Sequence, residues 1–68
     1  MGETITMDFQ KVRDAFMRLR TTAMELSRKS GVSYVTIRNV LKENRRVRPC
    51  NAMKIADALG VQVEDLKA

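Results

Sequence analysis

From Asp8 to Leu66 the apolar residues fall into short stripes at helical spacing, separated by small, polar or basic punctuation. Phe9, Val12, Phe16 and Leu19 recur at i, i+3, i+7 and i+10, with Lys11, Arg13, Asp14, Arg18 and Arg20 mostly on the other faces. That pattern predicts an amphipathic helix ending near Arg20, with Thr6 or Asp8 placed to cap its start. Two shorter helices follow, about Ala23–Ser30 and Tyr34–Lys42. Thr22-Ala-Met-Glu25 has the form of a capping box for the first of these, Ser33 caps the second, and Gly31 divides them. Ala52, Ile55, Ala56 and Leu59 make one face of a further helix that opens with Pro49, a residue suited to the first helical position, and stops at Gly60. Val61, Val63 and Leu66 predict a final short turn, with Glu64 and Asp65 where acidic groups favour the helix dipole. The chain is therefore expected to be all-α.

The stretch 23–42, AMELSRKSGVSYVTIRNVLK, is sterically the most specific. Where two helices cross at about 90–120° through a tight turn, the first must offer a small residue so that the second can approach. Ser27 is that residue. Gly31 falls where the chain must turn at positive φ, and Leu26, Val32, Ile37 and Val40 then point into one core. An ordinary antiparallel helix pair would show the apolar spacing alone. The small residue, the glycine and the four apolar positions in register identify a helix-turn-helix.

Two segments lack a helical stripe. Residues 1–7, MGETITM, read as an N-terminal arm, either frayed or a short edge strand, preceding a single domain over residues 8–68. Gly2 and Thr6 fit a loose N-acylation pattern, which is read as accidental because nothing else in the chain suggests a membrane. Glu43–Arg48, ENRRVR, is expected to be a loop, with Asn44 in a left-handed conformation ending the preceding helix.

Composition narrows the chemistry. A chain of 68 residues buries only about 60% of its unfolded surface, so it must be well capped or self-associated. Cys50 has no partner for an internal disulfide, and the chain contains no His, so neither a disulfide nor a zinc site holds the fold. No apolar run approaches the roughly 18 residues of a membrane span. A soluble cytoplasmic protein, associated with the nucleoid, is expected. With no His, one Cys and one Tyr, and carboxylates scattered along solvated faces, neither enzymatic activity nor a metal or other cofactor is expected. Cys50 is read as a packing or surface residue.

Charge adds the partner. The net charge is +5, but between Arg18 and Lys54 ten Lys and Arg stand against Glu25 and Glu43, a balance of +8, while residues 1–17 carry −1 and residues 55–68 carry −2. Positive charge concentrated on and around the two-helix motif is the footprint of phosphate binding. On the predicted helix Tyr34–Lys42, the residues Tyr34, Val35, Arg38, Asn39 and Lys42 share the face opposite Ile37, Val40 and Leu41. Asn pairs bidentately with adenine, Arg with guanine, and Val35 or the Thr36 methyl group suits the methyl of thymine. A solvated helix face explains the polar members of this set, whereas Tyr34 and Val35 call for a partner. Thr22, Ala23 and Ser33 at helix starts, with their free amides, and Arg45, Arg46 and Arg48 beyond the helix form the expected phosphate-contact set.

The segments T-A-M-E-L-S-R-K-S-G-V-S-Y-V-T-I at 22–37 and K-I-A-D-A-L-G-V at 54–61 resemble the lambda-repressor/Cro-like helix-turn-helix proteins, the XRE family, over about Phe9 to Leu66. The resemblance implies a compact five-helix domain whose third helix enters the major groove. It also implies a repressor-like regulator that binds a partly palindromic operator on double-stranded DNA as a homodimer. By position, Tyr34, Val35, Asn39 and Lys42 match the family's base-reading places, and Ala23 with Arg45–Arg48 its backbone-contact places. Three departures stand out. Ala23 occupies a place where the family often has Gln, and V-L-K-E-N-R-R-V looks more like LacI-type headpieces, without a hinge or sugar-binding domain to follow. Phe16 and Leu41 occupy the places of a commonly seen Arg and its Glu partner, which implies that an ion pair between the first and third helices has become an apolar contact.

Two other classes fit the same sequence: an antitoxin that also represses its own operon and holds a toxin partner, or a protein-interaction module that binds no DNA. Val61–Leu66 and the preceding loop are the expected dimer surface.

Overall fold

The computed structural model describes residues 3–68; the Gly2 acylation position lies outside them. Among the described residues the elements run β1 (Ile5–Met7), α1 (Phe9–Leu19), α2 (Ala23–Ser30), α3 (Tyr34–Lys42), β2 (Arg45–Val47), α4 (Pro49–Leu59) and a three-residue 3₁₀ turn, Val63–Asp65. The helices form where the pattern places them, and their ends are chemically marked. Asp8 accepts from the Gln10 amide at 2.9 Å, Thr22 from the Glu25 amide at 3.1 Å, and Ser33 from the Thr36 amide at 3.3 Å. Each such cap satisfies one amide that the helix itself leaves free, worth about 1 kcal/mol. The hydrogen bonds of the described residues include no return from Glu25 to Thr22, so that box is one-sided; a return bond forms instead at the last turn, where the Gln62 amide donates to Asp65 at 3.1 Å.

Gly31 (φ 77°) and Gly60 (φ 75°) end α2 and α4 in the left-handed region that glycine enters without Cβ strain. Arg20 ends α1 in the same region, at φ 53°, without that freedom.

Packing centres on one core. Val12 from α1, Leu26 from α2, Ile37 and Val40 from α3, and Ala52, Ile55 and Leu59 from α4 are buried together with Val32 in the turn. Helix α2 packs on α3 and α4, and α1 packs on α3. The turn between α2 and α3 is fixed by more than the smallness of Ser27: its hydroxyl donates to the Val32 carbonyl at 2.6 Å, and the Val32 amide donates to the buried Ser30 hydroxyl at 3.1 Å. The predicted α1 stripe is only partly inside. Val12 is sealed, Phe9 and Phe16 are half-buried, and Leu19 is exposed at the last residue of the helix.

Several expectations are corrected. Among the described residues there are four α-helices rather than five, because the Val63–Asp65 segment closes as a single 3₁₀ turn after Gly60. The chain is not purely α: β1 and β2 pair antiparallel in the register Ile5–Val47, Thr6–Arg46, Met7–Arg45. The expected loop Glu43–Arg48 thus contains a strand. Burial of Met7 and Val47 holds the pair to the core, while Thr6 and Arg46 lie outward. Residues 5–7 take the strand alternative. Asn44 is not left-handed, since the positive φ values among the described residues are those of Arg20, Gly31 and Gly60. The Asn44 side chain instead accepts from the Phe9 amide at 3.0 Å, across 35 residues of sequence, and caps α1.

On its other side β1 meets the end of the chain. Met7 bridges Lys67, the Ala68 amide donates to the Thr6 carbonyl at 2.9 Å, and the Asp8 amide donates to the Leu66 carbonyl at 2.8 Å. Leu66 is buried in the core, so of the expected dimer surface Val61 and Val63 stay half-exposed but Leu66 is used internally.

Candidate nucleic-acid interface

Helix α3 has two unlike sides. Ile37 and Val40 are sealed from solvent, whereas Tyr34 and Val35 are 40% and 66% exposed. An exposed valine beside an exposed tyrosine leaves apolar surface on this side available to a partner, as Met17, Met24 and Met53 do elsewhere. The helical repeat divides the six residues predicted to read bases. Tyr34, Arg38 and Lys42, spaced by four, line a cleft toward α1. Thr36 and Asn39 line a smaller cavity of about 230 Å³ toward β2, opposite Arg45 and Arg46. Val35 stands on the exposed side of the helix.

Local contacts preset several of these groups. The Arg38 guanidinium lies 5.9 Å from the centre of the Tyr34 ring, within the range of a cation–π contact, which orders a long side chain while leaving its hydrogen-bond donors free. Thr36 is half-buried, and its hydroxyl oxygen accepts from the Ser33 hydroxyl at 3.0 Å. Ser33 is thereby engaged twice, by the hydroxyl it donates and by the Thr36 amide it accepts from. Asn39 is half-buried beside the same cavity.

Thr22 and Ala23 stand at the start of α2, where free amides and the positive dipole end point outward. Thr22 is exposed and Ala23 half-buried against the cleft. Two of the three arginines of the expected loop are held by regular structure. Arg45 and Arg46 belong to β2, and Arg48 precedes Pro49 in an extended conformation as the N-cap of α4. All three are exposed. They differ in their partners: Arg45 lies 3.7 Å from Glu43, an exposed and weak ion pair, and among the described residues no carboxylate pairs with Arg46 or Arg48.

Phe16 and Leu41, expected in mutual contact, are both half-buried against the core and line the same cleft between α1 and α3. Arg13, expected on an outer face of α1, and Met17, which the sequence pattern did not single out, join them there. Spacing shows only that Arg13 and Met17, three before and one after Phe16, flank it on one side of the helix; that this side meets Tyr34 and Arg38 depends on how α1 packs on α3. Asn44 was also misplaced in function, because its partner lies too far along the chain for any local pattern to show.

Helix α3 is thus packed on its inner side, carries Tyr, Val, Arg, Asn and Lys outside, and is entered through the turn at Gly31. The Cro/C1-type HTH DNA-binding domain matches residues 16–67. The chain belongs to the Cro/C1-type helix-turn-helix family. No curated protein and no solved structure matches it significantly. The match begins inside α1 and runs through the 3₁₀ turn, so it takes in α2, α3, β2 and α4 but leaves β1 outside. As a Cro/C1-type protein the chain is a DNA-binding transcription regulator, and DNA is its partner. Among the described residues no helix is long and apolar enough to cross a membrane.

Proposed function

We propose that this Cro/C1-type regulator is a repressor that lays α3 in the major groove of a partly palindromic operator, acting as a homodimer in the cytoplasm at the nucleoid. The observation that carries the reading is the exposure of Tyr34 and Val35 among Arg38, Asn39 and Lys42, on a helix whose opposite side is sealed. In this reading Asn39 takes an adenine edge, Arg38 and Lys42 take guanine or a flanking phosphate, and Val35 with the Thr36 methyl group meets thymine methyls. Thr22, the Ala23 amide and Ser33 approach the phosphates on one side, and Arg45, Arg46 and Arg48 those on the other, so that α3 is held in register between two charged supports. The dimer contact is placed on Val61, Val63 and the loop before them.

Selection from a random duplex library tests the whole reading. Recovered sites should contain two inverted half-sites with centres about 10–10.5 base pairs, or a multiple, apart. Asn39→Ala should then lose about 1–3 kcal/mol on the selected site and relax specificity at one base pair per half-site. If Asn39→Ala binds all sequences as the parent does, α3 does not read bases. A chain that binds no duplex even at about 50 mM salt, where phosphate contacts are strongest, would be a protein-interaction module instead.

A further inference from the structure

Beside α3 lies a cleft of about 480 Å³ between α1, the start of α2 and α3. Its volume falls within the roughly 300–1,000 Å³ of small-molecule sites. The floor is apolar: Phe16 and Leu41 rest on the core and Tyr34 and Met17 stand at the sides. Met17 is 67% exposed, which core packing does not require, and its flexible thioether adapts to flat apolar partners. The rim is cationic. Arg13, Arg38 and Lys42 line it, no carboxylate does, and among the described residues none of the three has an ion-pair partner. The Tyr34 ring holds the Arg38 guanidinium at the mouth, with donors free for a planar carboxylate.

We infer that this cleft binds a small flat apolar anion, an aromatic carboxylate, and that such a ligand and DNA exclude one another. The ring would displace water from Phe16, Met17 and Leu41, and the carboxylate would face Arg13, Arg38 and Lys42. A neutral aromatic molecule satisfies only the floor, and a small inorganic or aliphatic anion only the rim. The exclusion rests on the proposed placement of Tyr34, Arg38 and Lys42 against DNA, since the same three side chains serve both partners.

Titration of the ¹⁵N-labelled chain with naphthalene-2-carboxylate tests the site in the absence of DNA. Saturable shifts confined to α1, α3 and the first turn of α2 are expected. Naphthalene-2-methanol should bind at least tenfold more weakly, and acetate should give no saturable shift. Arg13→Gln should weaken the carboxylate at least threefold and Met17→Glu, at an exposed position, should abolish its binding while the helical circular dichroism is retained. Shifts scattered outside the cleft, equal binding of the alcohol, or an unchanged titration in both variants would overturn the assignment. Naphthalene-2-carboxylate at saturation should then lower duplex affinity at least tenfold, and the alcohol should not. A duplex retained at saturation would overturn the exclusion, and with it the placement of α3 against DNA. A chain that binds no duplex defeats that placement alone, because the titration judges the cleft independently.

Discussion

Replacing Asn44 by alanine removes a single hydrogen bond that joins the exit of α3 to the entrance of α1. Phe9 is the first residue of α1, so its amide has no acceptor within the helix. Asp8 serves Gln10, and Asn44 serves Phe9 at 3.0 Å. A net hydrogen bond contributes about 0.5–1.5 kcal/mol, and exposure of this one allows water to substitute, which places the loss at about 0.5–1 kcal/mol. For a domain of this size about 1 kcal/mol corresponds to 4–8 °C in Tm, so Asn44→Ala should melt about 2–8 °C below the parent. Asn44→Asp keeps the acceptor and sets a negative charge at the positive end of α1, offset by its nearness to Asp8; it should melt within about 2 °C of the parent. Thermal denaturation followed by helical circular dichroism compares the three chains, and hydrogen exchange at the Phe9 amide, faster in the alanine variant, locates the effect. Equal melting of the parent and Asn44→Ala would show that the bond contributes nothing. If Asp fell with Ala, acceptance by the side-chain oxygen would not be the cause.

Arg20→Gly relieves a left-handed residue at the end of α1 and should raise stability by about 0.5–1 kcal/mol, measured by urea denaturation; no gain would mean that the side chain offsets the strain. Ser27→Ala leaves the Val32 carbonyl without its 2.6 Å donor and should cost about 1 kcal/mol in the same assay. On duplex DNA, Arg46→Gln should flatten the slope of log affinity against log salt by about 0.9, the value for one phosphate, and weaken all sequences alike. Arg45→Gln should change the slope less, because Glu43 already offsets part of its charge; equal changes would show that the 3.7 Å ion pair does not persist on DNA.

The helices were legible because their signals are local. Thr22, Ser33, Gly31, Pro49 and Gly60 mark ends within one turn of the residues they serve, and the sealed set Leu26, Val32, Ile37 and Val40 follows from spacing alone. Of the sheet only a possible strand within residues 1–7 was legible; β2 and the pairing were not, because each strand is three residues long, too short to show alternation, and the partners are separated by three helices rather than a tight turn. The left-handed end of α1 carried no glycine to announce it. On the candidate interface, helical geometry sufficed to place Tyr34, Val35, Arg38 and Lys42 outside. The engagement of Thr36 by Ser33, the regular structure under Arg45 and Arg46, and the approach of Met17 and Arg13 to Tyr34 depend on how elements meet, which no single stripe encodes.

The bond from the Ala68 amide to the Thr6 carbonyl makes the described chain a fastened loop. Strand β1 is its clasp, gripped by Lys67 and Ala68 on one edge and by β2 on the other. Both contacts close long stretches of chain, so each costs closure entropy that the local turns do not. The line of Arg45 and Arg46 rests on β1, which Lys67 and Ala68 hold from its other edge. Loosening the far end at Lys67 or Ala68 would thus disturb the arginine flank of α3 before it disturbed α3 itself.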